Sequence, residues 1–225
     1  MPARMQKNGF TLVELLIVIV IIAVLASIAL PVFNGIQERA KATQDMSNLR
    51  QIGLATQMYL NDNDGTFFLP TDNWMKDLNP KYLSTWKIFQ SPFDNKRTSS
   101  EDSTNAPVSY GFNINAKTAS GGSLSSDKIT DATRFILFAP KQNSNAAAPF
   151  AGTAGTAGFT VSKDDAGPNG ASAGGTHSRG SRINGCMADL HVENMTWNDF
   201  HSDSPENASY TKSARWHPDP VSGNP

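Results

Sequence analysis

Between Leu15 and Leu30 the only polar residue is Ser27, and the apolar run extends from Phe10 to Phe33, a segment of 24 residues. As a helix it is roughly 36 Å long at about 1.5 Å per residue. That is enough to cross a hydrocarbon core of about 30 Å. A helix of this length in a soluble domain carries a polar face, and this one has none. Residues 1–9 hold Arg4 and Lys7 and no acid. Basic residues flank the cytoplasmic side of a membrane segment, so the segment is expected to enter the membrane with its N-terminus in the cytoplasm.

Glu14 interrupts the start of this run. A carboxylate at the centre of a bilayer helix costs on the order of 2.5–3.5 kcal/mol on insertion scales. No Lys, Arg or His lies between Phe10 and Phe33 to pair with it. Its partner is therefore expected from another chain or from a new N-terminus, unless the side chain snorkels to the helix end. Cleavage after Gly9 would give Phe10 an α-amine one helical turn from Glu14, within reach in the same chain or from a neighbouring subunit. A cleaved secretory signal is the competing reading. It has an apolar core of about 7–15 residues before a small-residue site, and Ala23, Ala26, Ser27 and Ala29 could supply the site. Glu14, and the position of Gly9-Phe10 ahead of the run, argue against it.

The whole-chain averages conceal this asymmetry. Over 225 residues the net charge is −1, the mean hydropathy is −0.36 and 17 % of residues are charged. Removing residues 1–9 takes Arg4 and Lys7 away and leaves −3. Such a balance gives no global electrostatic footprint for nucleic acid. The single cysteine, Cys186, excludes an intrachain disulfide.

Past the apolar run the helix is expected to continue. Pro31 and Gly35 are its weak points, where a kink is expected. Ile36, Ala40, Thr43 and Ser47 share a stripe, and Met46, Leu49, Ile52, Gly53, Thr56 and Leu60 follow a 3–4 spacing. Glu38, Arg39, Lys41, Asp45 and Arg50 are assigned to the polar side. The turn Asn61-Asp62-Asn63-Asp64-Gly65 reads as the stop. It also looks like part of a calcium loop, but Leu60 and Thr71 stand where that loop needs its first and last ligands. The divisions are thus a leader at 1–9, a membrane or core helix at 10–33, an amphipathic half-helix at 34–61 and a head at 62–225.

In the head, strands are expected at Trp86–Phe89, Val108–Ile114, Arg134–Ala139 and Cys186–Met195, each bounded by turn residues. The fold class is α+β, with a long N-terminal helix packed on a small antiparallel sheet. Residues 141–185, rich in Gly, Ala, Ser and Asn, read as a long surface insertion. The segment from Trp197 onward reads as an irregular wrap over the sheet.

The run KNGFTLVELLIVIVIIAVLASIALP, with its short basic leader ending in Gly9, resembles the class III signal of type IV pilins and type II secretion pseudopilins. The resemblance implies cleavage between Gly9 and Phe10 by a prepilin peptidase, N-methylation of Phe10, and retention of the helix as a filament core. It implies assembly through Glu14 and Phe10, and a kink at Pro31. It also implies an inner-membrane platform protein and an assembly ATPase as partners. The chain would wait in the inner membrane, then reside in an extracellular filament or a periplasmic pseudopilus. Further segments, Asn48–Phe67, Ser91–Asp94, Ser109–Asn113 and His177–Val192, resemble large pilin-like proteins of Verrucomicrobia and Planctomycetes. Their last block reads His, Gly, Asn and then D-G-H-V. Here it is His177, Gly180, Asn184 and Asp189-Leu190-His191-Val192, with Leu190 in place of the glycine.

The expected function is therefore a structural filament subunit rather than an enzyme. The alternatives are a pseudopilin acting as a piston, or a membrane-anchored binding protein or enzyme. His177, Asp189 and His191 are the right types for zinc, yet a turn-holding Asp189 and an edge-capping His191 fit the pattern better. No metal or cofactor is expected. Cys186 is expected to be a buried small apolar residue. Lys96, Arg97, Arg179, Arg182, Lys212 and Arg215 are scattered, so nucleic acid is not expected as a partner. Trp216 is expected to pack rather than stack on a base. Asn194-Met195-Thr196 and Asn207-Ala208-Ser209 are glycosylation sequons.

Overall fold

The computed structural model describes residues 10–69, 73–95, 108–142, 150, 160–162, 174–202 and 212–219. Gly9, the pair Lys96-Arg97, Asn207 and most of the 141–185 insertion lie outside them. The chain divides into two units, Met1–Ala40 and Lys41–Pro225. The first helix, α1 (Leu12–Asp62), contributes to both and contains Pro31.

In the first unit, every large apolar side chain from Phe10 to Ile36 is at least 46 % exposed. The helix is long and apolar enough to cross a membrane. Helical assignment runs unbroken through Pro31 and Gly35. Ser27, the lone polar residue between Leu15 and Leu30, turns its hydroxyl back onto the Val24 carbonyl at 2.7 Å, which removes an unpaired donor from the apolar surface.

In the second unit, α1 buries Asp45, Asn48, Leu49, Ile52, Gly53, Ala55, Thr56 and Leu60. The 3–4 spacing is the expected one, but Asp45 lies on the buried face and is corrected from the polar side. The stop falls at the expected turn. The Gly65 amide donates to the Leu60 carbonyl at 2.8 Å, and Asp64 and Gly65 take φ of 53° and 72°. The left-handed backbone closes the helix on its last carbonyls. Asn63 adds a side-chain bond to the Tyr59 carbonyl at 2.7 Å.

A short helix, α2 (Trp74–Leu78), follows. The sheet contains β1 (Tyr110–Asn113), β2 (Ile136–Pro140), β3 (Thr160–Val161), β4 (Arg182–Met187) and β5 (Val192–Thr196), in the order β3-β1-β2-β4-β5. A last helix, α3 (Trp197–His201), follows β5. The sheet is mixed: β3 runs parallel to β1, and the other pairings are antiparallel. The wholly antiparallel expectation fails at this edge strand, which belongs to the 141–185 segment.

Two more expectations are corrected. Trp86–Phe89 forms a 3-10 turn instead of a strand. Its Trp86, Ile88 and Phe89 side chains are all buried, and Thr85 caps it by accepting from the Lys87 amide. Consecutive burial of Ile88 and Phe89 defeats the period of two that a half-buried strand needs. The span Cys186–Met195 is two strands joined by a turn, in which Leu190 has φ of 72°. That conformation favours glycine. Leucine at this place disguises the turn in the sequence.

Cores form on both faces of the sheet. One gathers Leu49 and Ile52 of α1 with Phe68, Trp74, Phe112 and Phe138. Phe68 and Phe112 meet edge to face at 4.6 Å between centroids. The other holds Ile183, Met187, Trp197, Phe200 and Trp216. The segment after Trp197 is thus part helix and part of a core, not wholly irregular. Trp216 is fully buried, with its Nε1 donating to the Phe200 carbonyl at 2.7 Å.

Cys186 is also fully buried, and its thiol is pushed up to about 12 by desolvation. It sits against Gly53, where an added Cβ would lie 2.9 Å from Sγ. Gly53→Ala gains about 1 kcal/mol of helix propensity but forces an overpacking that costs about 1–3 kcal/mol. The expected net result is a lower melting temperature. Adding Cys186→Ala should restore part of the loss, because it removes the clashing atom. A thermal melt of the two variants decides this; equal melting of Gly53→Ala and wild type would refute it.

Candidate functional site

At the start of α1, the sequence Thr11-Leu12-Val13-Glu14 folds into a reciprocal cap. The Glu14 amide donates to Thr11 Oγ1 at 3.3 Å. The Glu14 carboxylate accepts from the Thr11 amide at 2.9 Å and from the Thr11 hydroxyl at 2.7 Å. This is the capping box that Thr and Glu three residues apart can form. It aims the carboxylate back at the helix start, beside Phe10, which is 80 % exposed. The structure thus joins Glu14 to Thr11, the residue after Phe10, while Gly9 is outside the described residues. The carboxylate is presented where the macrodipole favours a negative charge.

The second arrangement lies in the head, and its centre was missed in the sequence. Asp45 is fully buried. Its Oδ1 accepts from Ser91 Oγ at 2.6 Å and from the Tyr110 hydroxyl at 2.7 Å; its Oδ2 accepts from Asn184 Nδ2 at 2.8 Å. These donors come from the 91–94 turn, β1 and β4. Asn184 also donates to the Ala42 carbonyl at 3.1 Å. Asn48, one turn along α1, donates to the Gln90 carbonyl at 3.1 Å. Ser109 donates to the buried Asp94 at 2.8 Å. Burial raises the Asp45 carboxyl above its ordinary value, against the lowering effect of its three donors. Burial, then the Asp45 charge, pushes the Tyr110 hydroxyl well up.

From Asp45 the network continues outward. Asn184 Oδ1 accepts from Asn194 Nδ2 at 2.7 Å. Asn194 bonds through Nδ2 to His177 Nε2 and through Oδ1 to Arg182 Nε. The His177 ring stacks on Phe93, 5.5 Å between centroids and 12° from parallel. The segments around Asn48, Ser91–Asp94, Ser109–Asn113 and His177–Val192 thus meet through one hydrogen-bonded network. The one local signal was its position: Asp45 precedes Asn48, Leu49 and Ile52 at helical spacing, which places it on their face but names none of its partners. Because Asn194 Nδ2 is engaged with Asn184 and His177, the Asn194 sequon offers no free amide to a glycan in the folded head.

The three zinc candidates separate. Asp189 and His191 pair with each other, Oδ1 to Nδ1 at 2.6 Å, and hold the β4–β5 turn. His177 belongs to the Asn194 network. No group of three His, Cys, Asp or Glu gathers among the described residues.

The family described as the prokaryotic N-terminal methylation motif matches residues 4–30. The chain is 39 % identical over 59 residues to the type IV major pilin protein PilA of Myxococcus xanthus, covering 26 % of this chain and 27 % of that one. It is 37 % identical over 60 residues to the type II secretion system core protein G of Pseudomonas aeruginosa, covering 27 % and 42 %. It is 42 % identical over 61 residues to a probable minor fimbrial protein of Dichelobacter nodosus, covering 27 % and 38 %. The matches span between 27 % and 42 % of these three relatives. No solved structure is matched. The N-terminus carries a class III prepilin signal of the type IV pilin and type II secretion pseudopilin kind.

Proposed function

We propose that this chain is a structural subunit of a type IV pilus-like extracellular filament. The observation that carries the reading is the motif itself, with Glu14 folded back onto Thr11 at the start of a helix whose large apolar side chains up to Ile36 are all exposed. A prepilin peptidase cuts between Gly9 and Phe10 and the new amine of Phe10 is methylated. The apolar helices then leave the inner membrane and bundle, exchanging lipid contacts for close packing against each other. Glu14 neutralises the Phe10 amine of a neighbour as the subunit docks, drawn in by an inner-membrane platform and an assembly ATPase. Pro31 and Gly35 are where the helix bends or opens in the bundle. The head presents its loops outward. No enzymatic step, metal or cofactor is part of this reading.

A second reading, a pseudopilin of a type II secretion machine, is favoured by relatives named core protein G. Imaging of material sheared from cells separates the two: long fibres of this chain support the pilus, and their absence under assembly conditions supports the short piston. Mass spectrometry of the mature N-terminus should find methyl-Phe10. An intact Met1 on assembled protein would overturn the processing step.

A further inference from the structure

We propose that the His177–Asn194–Asn184 relay is an acid-released latch: a proton taken up at His177 Nε2 uncouples the 174–196 block from α1. The relay has a fixed direction because both ends are chemically unambiguous. Arg182 Nε can only donate, so Asn194 turns its Oδ1 to it. A second bond, Arg182 Nη2 to the Asn194 carbonyl at 2.7 Å, holds the guanidinium there. At the other end the Ala42 carbonyl and the Asp45 carboxylate only accept, so Asn184 turns its Nδ2 to them and its Oδ1 to Asn194. Asn194 Nδ2 is left facing Asn184 Oδ1 and His177 Nε2.

His177 Nε2 must then be an acceptor. The ring is neutral, its proton is on Nδ1, and Nδ1 donates to Thr176 Oγ1 at 2.9 Å. A proton on Nε2 sets N–H against N–H. Rotating the Asn194 amide does not relieve this, because its nitrogen would then meet Arg182 Nε and its oxygen would meet Asn184 Oδ1. The ring cannot turn away cheaply either. It is stacked on Phe93, and its backbone is paired with Arg182 in both directions at 3.2 Å.

The charged and titratable groups around the relay come from each packed element. Asp45 on α1 is two amides away; Asp94 lies in the turn that carries Phe93; Arg182 is on β4; Glu193 on β5, next to Asn194 and so on the opposite face, pairs with Arg215 at 3.7 Å. The folded head excludes a proton that the unfolded chain accepts near the ordinary imidazole value of about 6.5. Stability therefore rises with pH across that range and falls on acidification, by up to about tenfold in the folding constant per pH unit. Asp45, whose carboxyl burial raises, acts in the opposite sense, and the comparison of wild type with His177→Gln isolates the histidine.

The test uses the full chain in detergent micelles, labelled with ¹⁵N-histidine. NMR should show His177 with its proton on Nδ1 from pH 8 to pH 6, and thermal melting should drop on acidification from pH 7.5 to 5. His177→Gln, whose oxygen can accept from Asn194 without taking a proton, should flatten that drop and assigns the His177 signal. A His177 proton on Nε2 in the folded protein, or an unchanged pH slope in His177→Gln, would overturn the proposal. If the variant does not fold, the wild-type tautomer decides alone, its signal assigned through the Thr176 neighbour.

Discussion

Glu14→Gln should leave the subunit inserted in the membrane and processed, yet reduce assembled filament by at least tenfold, as Glu14→Ala should. The glutamine variant is the sharper of the two. Gln at this position can still accept from the Thr11 amide, so the capping box survives. What it lacks is charge. If Glu14 served only to start the helix, Glu14→Gln would assemble normally, and alanine would lose about 0.5–2 kcal/mol of capping. If the carboxylate neutralises an amine inside a dry helix bundle, both variants leave that ammonium unpaired, and breaking a buried ion pair costs about 3–5 kcal/mol. That is roughly a 10²- to 4 × 10³-fold loss per docking step. Quantifying sheared filament against membrane-held subunit reads the difference. Normal fibres from Glu14→Gln would refute the charge-pairing mechanism.

Asp45→Ala should unfold the head or lower its stability by about 3–5 kcal/mol, a large part of the 5–15 kcal/mol that holds a domain together. The substitution orphans Ser91, Tyr110 and one proton of Asn184 together, and each unsatisfied buried donor costs about 1–3 kcal/mol. It also leaves a cavity. Asp45→Asn is milder and isolates the charge. Because desolvation raises the Asp45 carboxyl in the folded state, the native head binds this proton more readily than the unfolded chain. Its contribution is greatest below the ordinary carboxylate value and is lost as pH rises through the folded one. Denaturant titrations at several pH values should show that slope in wild type and not in Asp45→Asn. An Asp45→Ala head as stable as wild type would show that the network is not what fastens α1 to the sheet.

The features legible in the sequence were the ones whose partners are close by. The apolar run, Glu14, the helix stop at Asn61–Gly65 and the strands near Tyr110 and Ile136 all follow from spacing within a few residues. Asp45 was not legible because its partners Ser91, Tyr110 and Asn184 lie 46, 65 and 139 residues away. Only tertiary structure turns a charged residue at helical position 45 into a core acceptor. Ser91–Asp94, Ser109–Asn113 and His177–Val192 were set side by side by resemblance alone, and a shared physical role emerged only when they closed around α1. The β4–β5 turn was hidden for the opposite reason: Leu190 sits in a backbone conformation that glycine would have announced. Likewise β3 could not be foreseen, since Thr160–Val161 is too short to carry a pattern.

The packing of Cys186 on Gly53 gives the experimenter a built-in stopwatch. A thiol with a pKa near 12 and no solvent exposure will ignore a maleimide or iodoacetamide pulse while the head is closed. Each labelled molecule then records one opening of the β4 region away from α1. A cysteine engineered at an exposed position would meanwhile take dye alone, so filaments could be tracked by fluorescence without removing the native sulfur.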